Sequence, residues 1–549
     1  MPKNIIVCAD GTGNKGGDTQ DTNVYKIYKA VDKHFKGTDQ DNFKEQVIFY
    51  DNGVGTETNK YLRALGGAFG FGFKRNVCDL YKFLARNYET GDRVYFFGFS
   101  RGASTVRACN GFISICGLFD GSDRTLSNQE LDRKVKEAFE AYRWHGIKGK
   151  LWFRLTKFLW RRLGSPCAKD LKEAGNSHGE IPIHFMGVWD TVVALGFPSR
   201  TDITGPVSFI LNILLWLLEK GLDLIWPHSF YYYKLTNKVE YAYQALAIDD
   251  ERTSFWPHVW REQGREDVCC EHGRENNRMD KNRKEGKVEQ VWFSGMHSNV
   301  GGGYGRSGMA SVALHWMMLR AQSCGLQFED GTVGQAFDDS HEHGRMYNSR
   351  GGFGFFYRYH PREIEQLCEG RLKEDIRIHR SVIERINHRT ANYAPGQIPA
   401  RFEVVESDPK VKPVGRNPGK HPDWDGIRKT IDKWVLRRKG LYAFMLTFVV
   451  TIFVSAYRLW ACPPKPEKRE GLSGHLADVL DYILPDYFAG LIEFTVVQNT
   501  WWFIGAVVLV IVYMYIRGKF RQYTVQACER LRHLIITEAD IIESENRVK

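Results

Sequence analysis

The run Val94-Tyr95-Phe96-Phe97-Gly98-Phe99-Ser100-Arg101-Gly102-Ala103 decides the reading of this chain. An apolar stretch of strand character ends in Gly-x-Ser-x-Gly, and the small residues and Thr105-Val106-Arg107 that follow predict a helix. A serine on such a sharp strand-to-helix turn is a nucleophile elbow, its hydroxyl carried to the top of a sheet. Glycines are required two places to either side because a Cβ there would collide with the neighbouring strand or helix.

Outward from the elbow, short apolar runs alternate with amphipathic helical stretches to about residue 400, the pattern of an α/β fold with a mainly parallel sheet. Strands are predicted at Ile5 to Ala9, Gln46 to Tyr50, Arg93 to Phe97, Ile183 to Val188, Tyr241 to Ala247 and Val288 to Phe293, and core-facing helices at Val77 to Tyr88 and Leu131 to Tyr142. Residues 264–287 are charged and rich in Gly and Asn, and read as a surface loop.

An elbow serine needs a histidine to take its proton and a carboxylate to hold that histidine in the right tautomer. In an α/β-hydrolase these follow in the order Ser, Asp or Glu, His, at strand ends. Asp190 after Ile183 to Trp189, and His297 after Val291-Trp292-Phe293, fit that order with Ser100. His341-Glu342-His343 is a rival histidine site with the look of an exposed loop. The oxyanion donors expected are the amide of Arg101 and one from the loop after the first strand, Gly11 or Thr12, in preference to Gly53-Val54-Gly55-Thr56. The glycine run 66–72 lacks the Gly-Lys-Ser/Thr ending of a phosphate-binding loop.

The 549 residues carry a formal net charge of +11. Basic residues cluster beside apolar runs rather than in extended tails, which favours an anionic membrane surface over nucleic acid. Leu441 to Trp460 and Trp501 to Ile516 are nearly all apolar or aromatic and long enough to cross a bilayer. Lys and Arg before the first (Arg428, Lys429, Lys433, Arg437, Arg438, Lys439) and after the second (Arg517, Lys519, Arg521) place both flanks, and the large domain, on the cytoplasmic side. Between the spans, 476–494 is apolar enough to lie along the opposite interface. Residues 148–163 interleave Trp152, Phe153 and Trp160 with Lys and Arg as a basic interfacial helix does, and the apolar stretch 207–226, with Leu214 and Trp216, reads as a lid or monotopic helix. The chain starts with Met1-Pro2-Lys3-Asn4 directly before a strand, so no signal peptide is expected. Eleven irregularly spaced cysteines point to a reducing compartment. Cys269-Cys270 with His272 has the wrong spacing for structural zinc, and neither metal nor cofactor is expected.

At these residues the sequence resembles the α/β-hydrolase family that contains the catalytic domains of type VI secretion phospholipase effectors, long catalogued as a domain of unknown function. The matching blocks are Asp10-Gly11-Thr12-Gly13-Asn14 with Thr22-Asn23-Val24, Gly53-Val54-Gly55-Thr56, Gly98 to Ala103, Val188 to Val192, Asp249-Asp250-Glu251-Arg252, His297 to Tyr304 and His379-Arg380-Ser381. The resemblance implies Ser100 as nucleophile, Asp190 as orienting acid and His297 as general base, in a fold that cleaves acyl esters of phospholipids. The family usually carries Asp after His-Ser, where this chain has Asn299; if that carboxylate tunes the site or holds a cation, this member differs in pH dependence or metal response.

The expected architecture is an α/β-hydrolase-like, mainly parallel sheet with helical insertions over 1–400, with membrane-interacting or lid insertions in 146–230. A basic linker (401–439), a transmembrane hairpin (440–518, spans about 441–460 and 498–516) and a C-terminal amphipathic helix (519–549) follow. The expected function is phospholipid ester hydrolysis. The alternatives are an esterase or thioesterase on a small or protein-bound acyl group, and a membrane-inserting scaffold with a non-catalytic hydrolase fold. Expected partners are membrane phospholipids and no nucleic acid; a homo-oligomer and an immunity or other partner protein are left open.

Overall fold

The computed structural model describes residues 2–548 apart from 12, 15, 18–19, 37–44, 54–71, 124, 147–166, 193–232, 263–286, 352–353, 355–356, 373–374 and 466. Among the described residues the strands are β1 (Asn4–Ala9), β2 (Gln46–Asp51), β3 (Arg93–Phe99), β4 (Ile183–Trp189), β5 (Val239–Ala247), β6 (Lys287–Phe293), β7 (Arg377–His379), β8 (Phe402–Val405) and β9 (Val414–Arg416). They form one sheet in the order β2-β1-β3-β4-β5-β6-β7-β8-β9, parallel throughout except for the last pair. The helices used below are α1 (Asn23–Ala30), α2 (Phe73–Asn87), α3 (Arg101–Cys116), α4 (Asn128–Gly146), α5 (His297–Gly301), α6 (Gly308–Ser323), α7 (Arg380–Asn387), α8 (Trp424–Ala461), α9 (Gly471–Ile483) and α10 (Thr500–Val548).

A parallel sheet covered on both faces needs strands that are apolar on both sides, which is why β1 and β3 read as unbroken apolar runs. Ile5, Val7, Val94 and Phe96 face a layer built from α2, α3 and α4. Their neighbours Ile6, Cys8, Tyr95, Phe97 and Phe99 face the opposite layer, with α1 and α6. Helix α3 is buried along its whole length between the sheet and α2 and α4. Its Arg107 is held by the Tyr233 and His258 carbonyls at 2.7 to 2.9 Å, so a charge in mid-layer is hydrogen-bonded rather than stranded. The strand order reverses at β1, with β2 on one side and β3 on the other. In such sheets a crevice opens at the carboxyl ends of the two strands flanking the reversal. The loops after β1 and β3 begin at Asp10 and Ser100.

The six strands expected from the sequence are present, and the sheet continues past residue 400 into β8 and β9, within the stretch expected to be linker. Strands this short carry too little alternation to be read from sequence. From Trp424 the same stretch is helical, and Trp424, Ile431 and Val435 of α8 pack with Trp292, Tyr359, Phe402 and with Leu531 and Ile535 of α10 in a third apolar cluster. No break occurs at 519: α10 runs on from the second apolar span.

Beyond this cluster α8 and α10 form an antiparallel pair, joined near the sheet by Trp434 stacked on Tyr523 at 4.6 Å. Both helices are long and apolar enough to cross a membrane. Between them, α9 and the turns after it are tied by Arg469, which bridges Asp478, Asp481 and Glu493 at 2.7 to 3.2 Å.

Candidate active site

Ser100 sits between β3 and α3 with φ 57° and ψ −121°, a backbone conformation that L-residues rarely adopt and that costs about 1–3 kcal/mol. Its flanking glycines explain how the turn closes. A Cβ on Gly98 would lie 2.6 Å from the Ala103 Cα, and one on Gly102 would lie 2.1 Å from the Ala9 carbonyl oxygen. The Ser100 N–H donates to the Trp189 carbonyl at 3.1 Å, and the Val192 N–H donates to the Ser100 carbonyl at 3.3 Å, so the elbow is stitched to the segment carrying Asp190.

Asp190 follows β4 with φ 42° and is fully buried. Its Oδ2 lies 2.5 Å from the His297 Nδ1, while Arg362 grips both carboxylate oxygens at 2.6 and 2.7 Å and the Ala247 N–H donates to Oδ1 at 3.0 Å. Burial alone would raise the Asp190 pKa, but Arg362 and His297 overcome it and hold the carboxyl well below the usual carboxylate range. His297 opens α5 after β6; burial pushes its imidazole below its ordinary value against the opposing pull of Asp190. The His297 backbone N–H donates to Asp250 at 3.2 Å, and Arg252 pairs with that carboxylate at 2.7 and 3.0 Å. The imidazole is walled by Phe99 at 4.6 Å and Phe255 at 5.0 Å between ring centres. Among the described residues no hydrogen bond joins Ser100 to His297; such bonds often tighten only when substrate binds.

The loop after β1 stands beside the serine, since a Cβ on Gly11 would approach the Ser100 Cβ to 3.2 Å. The Gly11 N–H itself is turned to Asp10 Oδ1 at 2.6 Å, and Asp10 also accepts from Thr22 at 2.5 Å and Tyr50 at 2.7 Å. Burial raises the Asp10 pKa against these donors. Of the expected oxyanion donors, Gly11 is therefore committed elsewhere, Thr12 lies outside the described residues, and Arg101 occupies the first turn of α3, where amides point out of the helix end.

Two further blocks of the resemblance meet beside α5. Thr22 bridges to Gly302, and the Asn23 side chain donates to the Val300 and Ala310 carbonyls at 2.9 Å. Asn299 donates from Nδ2 to the Arg345 carbonyl at 3.1 Å and accepts the Tyr347 N–H at 3.1 Å, which an aspartate could do only in part. Arg362 had no sequence signal: it reaches Asp190 from a position 172 residues away, in no motif. His343 of the rival histidine site lies 2.5 Å from the Thr390 hydroxyl. Among the described residues no group of His, Cys, Asp or Glu is arranged to hold a metal. Trp152, Phe153, Trp160, Leu214, Trp216 and Cys269-Cys270 lie outside the described residues.

The curated yeast protein described as uncharacterized protein YEL023C (Saccharomyces cerevisiae) is 30% identical over 208 residues, covering 35% of this chain and 27% of that protein, so the match spans about a quarter of the relative. A crystal structure of an uncharacterized protein from Pseudomonas aeruginosa aligns with 95% of this chain and 66% of its own at 13% identity and a TM-score of 0.37. The structure of the Tle1 effector bound to the VgrG spike from the type 6 secretion system aligns with 55% of this chain and 51% of its own at 15% identity and a TM-score of 0.23. The profile of the family described as "T6SS, Phospholipase effector Tle1-like, catalytic domain" matches residues 3–320 of the 549, and the chain belongs to that family.

Proposed function

We propose that this protein is a membrane-anchored serine hydrolase of α/β-hydrolase type that cleaves acyl esters of phospholipids through Ser100, His297 and Asp190. The observation that carries the reading is the 2.5 Å contact between buried Asp190 and His297 Nδ1, beside a serine held in a strained elbow. Membership of a phospholipase effector family supports the substrate class.

In this mechanism Ser100 Oγ attacks the acyl carbonyl as His297 Nε2 takes its proton, and the imidazolium so formed is stabilised by Asp190 through Nδ1–H. Arg362 keeps Asp190 ionised and fixed. The oxyanion is held by the Arg101 amide and by a second donor from the loop after β1. His297 then protonates the departing lysophospholipid oxygen, and water activated by the same imidazole releases the fatty acid from Ser100. The sheet and its helices to residue 416 form the catalytic unit, α8 and α10 are the membrane hairpin, and the catalytic unit lies on the cytoplasmic side.

The test is incubation of wild type and Ser100→Ala with mixed phospholipid vesicles, followed by mass spectrometry of the lipids. Wild type releases fatty acid and lysophospholipid, and Ser100→Ala loses at least about 10³-fold of that rate while keeping its melting temperature. Equal release by both proteins would remove Ser100 from the mechanism.

A further inference from the structure

The base of the hairpin and the wall of the candidate active site are joined by side chains. Arg438 lies three residues before Leu441, where the apolar stretch of α8 begins. Its Nη2 is 3.2 Å from both carboxylate oxygens of Glu251. Glu251 adjoins Asp250, the acceptor of the His297 N–H. Lys439 Nζ lies 2.7 Å from His360 Nε2 and 3.7 Å from Glu363, so it contacts residues on both sides of the Arg362 that fixes Asp190. A second path starts inside the apolar stretch. The Tyr442 ring lies under the Arg350 guanidinium at 5.6 Å, Arg350 Nε donates to the Tyr357 carbonyl at 3.2 Å, and the Tyr357 ring meets Phe255 at 5.6 Å, against His297. Tyr357 is 43% exposed.

Residues that flank a membrane span stand at the headgroup level, and a helix rises only about 1.5 Å per residue, so Arg438 lies within about 5 Å of the edge of the hydrocarbon along the axis of α8. Both paths therefore bring His297 within a few side chains of that plane. The exposed ring of Tyr357 suits this layer, with an apolar body and a polar tip. We infer that the hairpin holds the mouth of the active site against the headgroup layer of the membrane it spans, and that the phospholipid substrate is drawn from that same leaflet. This rests on the reading of the chain as a membrane-anchored lipid hydrolase.

The test uses the full chain in phosphatidylcholine–phosphatidylglycerol vesicles containing a lipid with a nitroxide on its headgroup. In a cysteine-depleted background, a fluorophore is attached at Tyr357→Cys or, as the control, at Glu89→Cys, before β3 at the opposite ends of the strands. The probe at 357 is expected to be quenched severalfold more than the probe at 89, and equal quenching would overturn the inference. This readout does not need catalysis, so quenching without Ser100-dependent hydrolysis would count against the hydrolase reading alone. A second arm uses the unmodified protein, so it survives any folding defect of the labelled variants. Labelled phospholipid in the protein's own vesicles should be consumed at least about tenfold faster than the same lipid in added protein-free vesicles. Equal rates would overturn the inference.

Discussion

Strand β3 and the apolar stretch of α8 are built from the same kinds of residue and meet opposite surroundings. Val94, Phe96 and Phe97 of β3 are 0% exposed, whereas Val450, Phe453 and Val454 of α8 are 48 to 51% exposed. In β3 the apolar side chains are removed from water by helices on both faces, which is the main favourable term in folding. In α8 the described residues leave about half of each of these side chains uncovered, an apolar surface on a helix long enough to cross a bilayer. A stretch of apolar residues thus states that water is avoided, while its length and its partners state what replaces the water.

Substitutions can break this comparison, and among those that add no charge the largest effect is expected at the elbow. Gly102→Ala forces a Cβ into the Ala9 carbonyl and should destabilise the catalytic unit by about 4 kcal/mol or more, read by chemical denaturation. Next is Arg362→Met, which strips Asp190 of its bidentate partner in a dry site. A loss of about 3–5 kcal/mol in stability is expected, with a fall in turnover of whatever folded protein remains. The two regions separate most clearly with an aspartate scan. Phe96→Asp should abolish folding, whereas Val450→Asp should leave the melting of the catalytic unit in place and cost about 2.5–3.5 kcal/mol in membrane insertion, read as protein shifted to the soluble fraction. Smaller still is Asn299→Asp, which sets a carboxylate against the Arg345 carbonyl and should cost about 1–3 kcal/mol.

The pH dependence sharpens the account of the site. In the proposed mechanism His297 must be neutral to accept the serine proton, and its folded pKa lies below its ordinary 6.5, so the acid limb of kcat/KM should fall below pH 6.5. The unfolded chain takes up that proton first as pH drops, so the stability contributed by neutral His297 is present above 6.5 and lost as pH falls through the folded value. Asp190 acts in the same sense at lower pH: its contribution is present above the unfolded value of 3.8 and is lost as pH falls towards the depressed folded value.

Ser100, Asp190 and His297, the residues proposed to act together, stood out in the sequence because each follows an apolar run that forms a strand. The place of the site at the reversal in strand order did not, because the order β2-β1-β3 depends on pairings between distant segments. Arg362 was not legible, because a guanidinium arriving from an irregular segment leaves no periodic trace. Nor was the role of Gly11, whose amide turns to Asp10 through a side-chain bond that no motif encodes. The stretch 401–439 misled for a related reason: charged residues on the outer face of α8 hide Ile431 and Val435, which bind it to the sheet domain.

The most direct test of the central claim is labelling of the full-length protein with a fluorophosphonate, followed by peptide mass mapping. A single phosphonyl adduct on Ser100, lost in Ser100→Ala and strongly slowed in His297→Ala, is the predicted result. A folded protein that leaves Ser100 unmodified, or is modified at another serine instead, would contradict the account.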